Sequence, residues 1–335
     1  MDIRNVRELK NTAAQRLDQA ADAKKIILIY ALINAVAALL VTVITYCLDL
    51  QVDQLGGLGN MGTRSLLSTI SAVLPMVLNM ALMCLELGFL AVTIRIGRGM
   101  YTSAQTLRAG MPRFWAMIRT NILLYGIVFM LSIGAFYIAT MIFVMLPMSN
   151  EAMEIMLPVI NTMDPAAMET AAFILDAGVE ARLMEALIPL IVIFGIVAMV
   201  LVFPMTYHYR MANFVLLHDP RAGAFRALRE SKKMMRGNRW ALLKIDLSLW
   251  WYYGLSALAA AVCYGEEILP AFGVELSMPP AASFFGFYGL CLIILFASNM
   301  LFRGRVGVTY ALFFDAVRPK EENSGGVVLG NIFKM

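Results

Sequence analysis

Charged residues are scarce in this chain. Asp, Glu, Lys and Arg together make up 15% of its 335 residues, whereas hydrophobic residues make up 60%. A soluble domain of this length needs far more polar surface to cover its core. The composition therefore excludes an ordinary soluble domain and predicts a membrane protein, in agreement with a mean hydropathy of +0.74.

Residues that build reactive or metal-binding sites are also few. The chain has four cysteines and two histidines. Each cysteine lies in or at the end of an apolar run, without a CxxC spacing, so we interpret them as small apolar side chains and not as disulfides or ligands. These cysteines are Cys47, Cys84, Cys263 and Cys291. His208 and His218 have no further ligands at metal spacing, so no zinc site is predicted.

Catalytic motifs are missing as well. The sequence holds no GxSxG, no HExxH, no phosphate-binding loop and no paired aspartates. We therefore expect a protein that is not an enzyme and that carries no cofactor.

Long apolar runs are what the sequence does have. About 20 residues of helix cross the roughly 30 Å of hydrocarbon in a bilayer, and six runs approach or exceed that length. The predicted fold is all-α, a polytopic membrane bundle in a single domain over residues 1–318. A cytoplasmic tail over 319–335 is expected to be disordered. The six predicted transmembrane helices are about 26–48, 70–94, 120–147, 187–209, 241–263 and 282–302.

The positions of Lys and Arg predict the orientation. Twenty-five of the 27 basic residues lie in segments on one side of the six runs, and that side is the cytoplasm by the positive-inside rule. Both termini are therefore predicted to be cytoplasmic. The outer segment 149–186 carries seven acids against one Arg. We expect a short helix with a solvated acidic face there, the alternative being a cation or partner site.

Two cytoplasmic segments have the pattern of amphipathic helices. One covers residues 5–25, and the other follows residue 220. In the second, the basic residues share one arc of the helix and the apolar residues share the other. We predict that it lies on the membrane surface and contacts anionic lipid headgroups, the alternative being recognition of one lipid or protein partner. The basic residues are Arg226, Arg229, Lys232, Lys233 and Arg236.

Two stretches resemble each other within the chain. "WAMIRTNILL" begins at Trp115 and "WALLKIDLSL" begins at Trp240. In this alignment Arg119 corresponds to Lys244, and Asn121 corresponds to Asp246. Because each stretch follows a basic cytoplasmic segment, the sequence predicts parallel hairpin repeats, with a third hairpin divided between the chain ends.

Glu86 stands out among the few charges in the apolar runs. It lies about eight residues, or roughly 12 Å, inside the second predicted helix. A carboxylate there is costly, so it should face the bundle and have a polar partner. We predict an intramembrane polar site, used either as a proton or cation relay or as one structural contact. The candidate site residues are Glu86, Arg95, Asp246 and Asn121, and Asn34, Asn79 and Asn299 are further possible partners of Glu86.

Three motifs resemble a bacterial integral-membrane family known as domain of unknown function 975. They are the "RELK" segment from Arg7, the Ser-Lys-x-x-Met-x-Gly run from Ser231, and "TYALFFD" from Thr309. The chain departs from the family pattern at Phe314, where Tyr is usual. The resemblance implies a helical protein of the bacterial cell membrane, and it implies no reaction, substrate or catalytic residue.

The sequence leaves two functions open. The first is a non-enzymatic scaffold or accessory component that acts through its basic cytoplasmic helices on anionic lipid, on a membrane-protein partner or on a second copy. The alternative is a small transporter or channel with a polar path near Glu86. The net charge of +4 hides the separation of charge across the membrane and gives no indication of nucleic-acid binding, so no nucleic-acid partner is expected.

Overall fold

The computed structural model describes residues 5–54, 61–147, 149–150, 154, 177–219, 221–265, 268–269 and 279–318. Across these ranges the secondary structure is helical, with no strand. The α-helices are α1 (Val6–Gln19), α2 (Ala23–Gln54), α3 (Met61–Gly97), α4 (Phe114–Val144), α5 (Ala177–Tyr209), α6 (Ala212–His218), α7 (Ala224–Met235), α8 (Arg239–Ser248), α9 (Trp250–Cys263), α10 (Pro280–Ser298) and α11 (Gly304–Val317). A 3-10 helix (Ala104–Arg113) precedes α4, and a π-helical turn (Asn299–Arg303) joins α10 to α11.

Five stretches of helix in the described ranges are long and apolar enough to cross a membrane. They are Ala23–Val52, Gly62–Gly97, Ala104–Val144, Glu185–His218 and Ala281–Val317. Many large apolar side chains on these helices are exposed, among them Leu40, Met76, Phe129 and Met199. Exposed apolar surface on this scale is typical of a protein whose helices face lipid. The structure thus confirms an all-helical protein whose described residues contain five candidate membrane spans, and the sixth predicted helix, 241–263, is not among these five.

The predicted helix at 241–263 differs because it is divided at Leu249 into α8 and α9. Tyr252 N donates to Leu249 O at 3.0 Å, so the backbone does not complete the usual bond from residue 252 to the Ser248 carbonyl. That carbonyl instead accepts a hydrogen bond from Lys10 Nζ on α1 at 2.9 Å. A charged side chain inserted into the hydrogen-bond ladder is a recognised cause of a helix break, and a Lys near a helix C-terminus is favourable.

The final helix also departs from prediction. The sequence places its end at 302, whereas helical structure runs from Pro280 through the π-helical turn to Val317. Fourteen further helical residues therefore follow Arg303. The N-terminal helix is shorter than predicted, since α1 ends at Gln19 and α2 begins at Ala23.

The described chain forms two compact units. The first comprises residues 1–120 and 211–335, and the second comprises residues 121–210. One hydrophobic core cluster of the first unit is made of buried side chains from α1, the start of α2, the end of α3, the 3-10 helix and α11. They are Ala13, Ala23, Ile26, Ile27, Tyr30, Phe89, Val92, Ile96, Leu107 and Val308. In the second unit, Ala135 and Ala139 are fully buried.

Two glycines let the 3-10 helix contact α3 through backbone. A Cβ built on Gly88 would lie 1.8 Å from Leu107 O, and one built on Gly110 would lie 2.3 Å from Cys84 O. Neither position has room for a side chain. This contact fixes the segment that follows α3 against the C-terminal half of that helix, two residues from Glu86.

Several predictions fall wholly or partly on the rest of the chain. Most of the acidic segment 149–186, including the short helix expected there, lies outside the described residues, and so does the tail 319–335. The predicted hairpin repeats remain a prediction. Their local structure differs, because α4 is continuous through Arg119 and Asn121 whereas the corresponding segment is broken at Leu249.

Candidate functional site

Glu86 lies on α3 and is held by two side chains from other helices. Tyr30 on α2 donates its hydroxyl hydrogen to Glu86 Oε2. Arg303, the last residue of the π-helical turn, donates from Nη2 to Glu86 Oε1 and forms a salt bridge. Both carboxylate oxygens are therefore engaged, as the low polarity of an apolar span requires.

Arg303 connects this ion pair to a third helix. Its Nη1 donates to the hydroxyl of Tyr252 on α9 at 2.9 Å. Its guanidinium carbon lies 5.9 Å from the centre of the Phe89 ring. Phe89 in turn stacks on Tyr30, with 4.2 Å between the ring centres. The Phe89 ring thus lies beside the pair, and the two tyrosine hydroxyls each add a hydrogen bond to it.

The partners of Glu86 differ from those that we predicted. Arg95 Nη1 donates to Thr106 Oγ1 at 3.2 Å, and Asn34 Nδ2 donates to its own helix at Tyr30 O at 2.9 Å. Arg95, which follows Glu86 by nine residues on the same helix, lies roughly 13 Å further along the axis. The hydrogen bonds of Glu86 go to Tyr30 and Arg303, and not to Arg95, Asn34, Asn79 or Asn299.

Asp246 forms a second cluster with two tyrosines. Tyr310 on α11 donates to Asp246 Oδ1, and the hydroxyl of Tyr253 lies 3.5 Å from the same oxygen. The Tyr253 and Tyr310 hydroxyl oxygens are 2.6 Å apart. Tyr310 is buried, with 9% of its surface exposed. This predicted site residue is thus partnered by side chains that the sequence analysis did not identify.

The two clusters share their supporting helices, and we call them together the polar network. It comprises Tyr30, Glu86, Asp246, Tyr252, Tyr253, Arg303 and Tyr310. Tyr252 and Tyr253 are neighbours at the start of α9. Arg303 and Tyr310 are seven residues apart, close to two helical turns, on the last helix. The network therefore joins α2, α3, α8, α9 and the last helix through polar contacts.

Two predicted site residues are not members of the polar network as defined above. Arg95 contacts the 3-10 helix through Thr106. Asn121 lies on α4 and belongs to the second compact unit, where it is half-buried. The polar site proposed from sequence thus contains Glu86 and Asp246 in one network within the first unit, and Arg95 contacts another element of that unit.

Four of the five predicted headgroup-binding residues lie on the exposed face of α7, and Arg236 follows directly at its C-terminal end. All five are exposed, as is Phe225, of which 72% is accessible. The other apolar residues of α7 are buried within the first unit, and Ser231 Oγ accepts from Met211 N at 3.2 Å. The apolar face of α7 is therefore covered by protein, which differs from a helix that inserts its own apolar face into a bilayer. The basic residues are Arg226, Arg229, Lys232, Lys233 and Arg236.

The motifs that carry the family resemblance supply contacts of the first unit. From "RELK", Leu9 is fully buried and Lys10 binds the carbonyl at the α8–α9 break. From the Ser-Lys-x-x-Met-x-Gly run, Ser231 and Met235 are fully buried. Gly237 follows α7 with φ of 89°, a left-handed conformation that suits glycine.

The third motif lies on α11. It contains Tyr310, described above, and it also supplies one residue of a second ion pair. Asp315 accepts two hydrogen bonds from Arg98, at 2.8 Å from Nε and 2.5 Å from Nη2. This paired geometry is the strongest form of an Arg–carboxylate contact. Phe313 and Phe314 are buried beside it, and Phe314 stacks on Phe214 of α6.

Comparison with known proteins agrees with this mapping. No curated protein and no solved structure matches the chain significantly. Residues 1–320 match the family described as "Protein of unknown function (DUF975)". Since the match covers nearly the whole chain, including all three motifs, the protein belongs to the DUF975 family.

Proposed function

We propose that the protein is a non-enzymatic scaffold or accessory component of the bacterial cell membrane, which acts through the basic face of α7. The observation that carries this proposal is the covered apolar side of α7 beneath five exposed bases. Because the helix is packed against protein, its bases are presented at a fixed position. The proposed partners are anionic headgroups of the cytoplasmic leaflet and a membrane-protein partner or second copy.

The polar network supports a structural use of the intramembrane charges. Glu86 and Arg303 form an ion pair, and the Tyr30 and Tyr252 hydroxyls add one hydrogen bond to each partner. Because both carboxylate oxygens are already bound by side chains from other helices, the contact has the form of a structural link between helices. This arrangement favours a scaffold over a proton carrier.

The contribution of the basic face can be measured directly. We expect that replacing all five bases of α7 with Gln lowers the preference of the reconstituted protein for anionic lipid by at least tenfold, because each base near an anionic surface contributes up to about 1 kcal/mol. The measurement is lipid exchange into nanodiscs of phosphatidylglycerol against phosphatidylcholine.

Lys24→Gln/Lys25→Gln is the matched control, since both side chains are exposed and lie outside α7. For each residue replaced, this control should change the preference for anionic lipid less than the five-base variant does. An unchanged preference in the five-base variant would contradict lipid binding by this face. Quantitative co-purification from the native membrane with the same two variants then tests the membrane-protein partner.

We also propose that α8 and α9 together make a sixth span, with both termini in the cytoplasm and hairpin repeats related by an axis along the membrane normal. The helix break at Leu249 supports this proposal. The Ser248 carbonyl, which has no backbone partner at the break, is bound by Lys10, and this meets the need for satisfied backbone groups inside a bilayer. The distribution of 25 of 27 basic residues supports the orientation.

Cysteine labelling tests this topology. In a chain whose native cysteines are replaced by Ala, Glu169→Cys should react with an impermeant maleimide from outside intact cells. Ser324→Cys should react only after permeabilisation, because it lies on the side with the basic segments. Labelling in the opposite order would show that the orientation is the reverse of the one proposed. Labelling of both positions from outside would contradict an even number of membrane spans.

A transporter or channel is the second candidate, and one observation favours it. Although both oxygens of Glu86 have partners, 41% of its side chain is exposed, so the pair is not sealed inside protein. If protons or cations pass this site, Glu86→Gln should abolish flux into proteoliposomes while membrane insertion is unchanged. Wild-type protein that moves neither protons nor monovalent cations would exclude this candidate.

A further inference from the structure

Two cysteines lie on consecutive helices of the first unit that pack against each other. Cys263 is the last residue of α9, and Cys291 lies within α10. Of the two side chains, Cys291 is 5% exposed and Cys263 is intermediate. Neither takes part in the polar network, and neither belongs to a family motif.

The register of the two helices brings these residues to one level. Near the cytoplasmic end of α9, Tyr252 contacts Arg303 at 2.9 Å. Beyond its other end, a Cβ on Gly265 would lie 2.7 Å from the Phe287 ring. Later residues of the segment that contains α9 thus contact earlier residues of the segment that contains α10, so the two helices are antiparallel. Eleven residues from Tyr252 lead to Cys263, and a similar count back from Arg303 leads to Cys291.

The direction of the two side chains agrees with this register. In a regular helix, residues eleven apart lie about 20° apart around the axis. Cys263 is therefore on the same side of α9 as Tyr252, which faces the last helix through Arg303. Ala259, one turn before Cys263, is fully buried, as expected where small residues let two membrane helices approach closely.

Both thiols therefore face this interface. Cys291 follows Phe287 by four residues, so the two side chains lie on the same face of α10, and Phe287 is the residue that faces the chain beyond α9. Small residues and an antiparallel register thus bring together the only two cysteines of this helix pair, whereas Cys47 and Cys84 lie on α2 and α3.

We propose that Cys263 and Cys291 form a modification site, which takes up an intramolecular disulfide by exchange with an oxidised dithiol. The Cys263 thiolate attacks a sulfur of the donor disulfide and releases one donor thiol. The Cys291 thiolate then attacks Cys263 Sγ in this mixed disulfide and releases the second. Two cysteine thiols lose two electrons and two protons, and the donor disulfide becomes two thiols.

The different burial of the two cysteines sets this order. Cys263 ends α9 and is the more accessible, whereas Cys291 is buried and reacts with Cys263 Sγ only after that sulfur has become part of the mixed disulfide. The proposed orientation, on which access to the donor rests, places the end of α9 toward the outer face. Disulfides form and persist in oxidising compartments of that kind.

The test uses the full chain, reduced and then purified in nanodiscs, with glutathione disulfide as the donor. After an acid quench and alkylation, peptide mass spectrometry should find Cys263 and Cys291 unlabelled and joined, while Cys47 and Cys84 remain labelled. We expect the linked pair in most molecules, and an upward shift of the apparent melting temperature by several degrees that reductant reverses.

Two single variants test the order, and both keep a small side chain in the interface. Cys291→Ala should accumulate a glutathione adduct on Cys263, whereas Cys263→Ala should leave Cys291 unmodified. Membranes quenched directly from cells should carry the linked peptide. The proposal is overturned if the donor produces no linked peptide, if Cys47 or Cys84 is oxidised equally fast, or if the pair is fully reduced in quenched cells.

Discussion

Replacing Glu86 with Leu is expected to lower the free energy of unfolding by about 2–3 kcal/mol. The substitution leaves Arg303 charged beside an apolar helix, with Tyr30 and Tyr252 as its neighbours. Breaking a fully buried pair costs about 3–5 kcal/mol, and the exposed part of the Glu86 side chain reduces that figure here. Unfolding in mixed micelles by titration with sodium dodecyl sulfate measures the difference.

The companion variants separate the ion pair from packing. Glu86→Gln keeps one acceptor for Arg303, so it should lose only about 1 kcal/mol. Glu86→Leu combined with Arg303→Leu should be less destabilised than the sum of the two single variants, because neither charge is then left alone. If the double variant is strictly additive, the two side chains do not act as a pair.

Gly88→Ala is expected to destabilise the first unit by about 3 kcal/mol or more. The new Cβ would lie 1.8 Å from Leu107 O, and a backbone carbonyl has no rotamer through which to move away. Overpacking of ordinary cores costs about 1–3 kcal/mol, and a clash with backbone belongs at or above the upper limit. Hydrogen exchange should also increase over residues 104–113, because the 3-10 helix must separate from α3.

Gly126→Ala provides the control for helix propensity. Gly126 lies on α4, and no atom stands within 4 Å of a Cβ built there. Ala is the better helix former by about 0.5–1 kcal/mol, so this variant should be neutral or slightly more stable. Equal destabilisation by both substitutions would show that the contact between α3 and the 3-10 helix contributes nothing.

Hydropathy predicted the membrane spans because lipid selects for long apolar runs, whatever their tertiary contacts. It gave 120–147 for a helix that the structure places at Phe114–Val144. It missed the early start of α3 at Met61, because the Ser, Thr and Gly residues there lower hydropathy without preventing a helix. It also missed the break at Leu249, which depends on a hydrogen bond from a residue 238 positions earlier.

The site was predictable in part for a related reason. A carboxylate inside an apolar run is costly wherever its partner comes from, so Glu86 could be identified alone. Its partner could not, because Arg303 stands at the edge of the last run, where a basic residue has the ordinary role of marking the cytoplasmic side. Tyrosines carry no comparable signal, since they are as common in apolar helices as in polar contacts.

The bond between Lys10 and the Ser248 carbonyl sets an order of events during synthesis. At about 5–20 residues per second, roughly 12–48 s separate the emergence of the two residues from the ribosome. During that interval α1 exists without α8, and the chain between them enters the membrane. Helix α1 is therefore made long before its contact with the break between α8 and α9 can form, and its lysine binds a carbonyl of a helix that is translated much later.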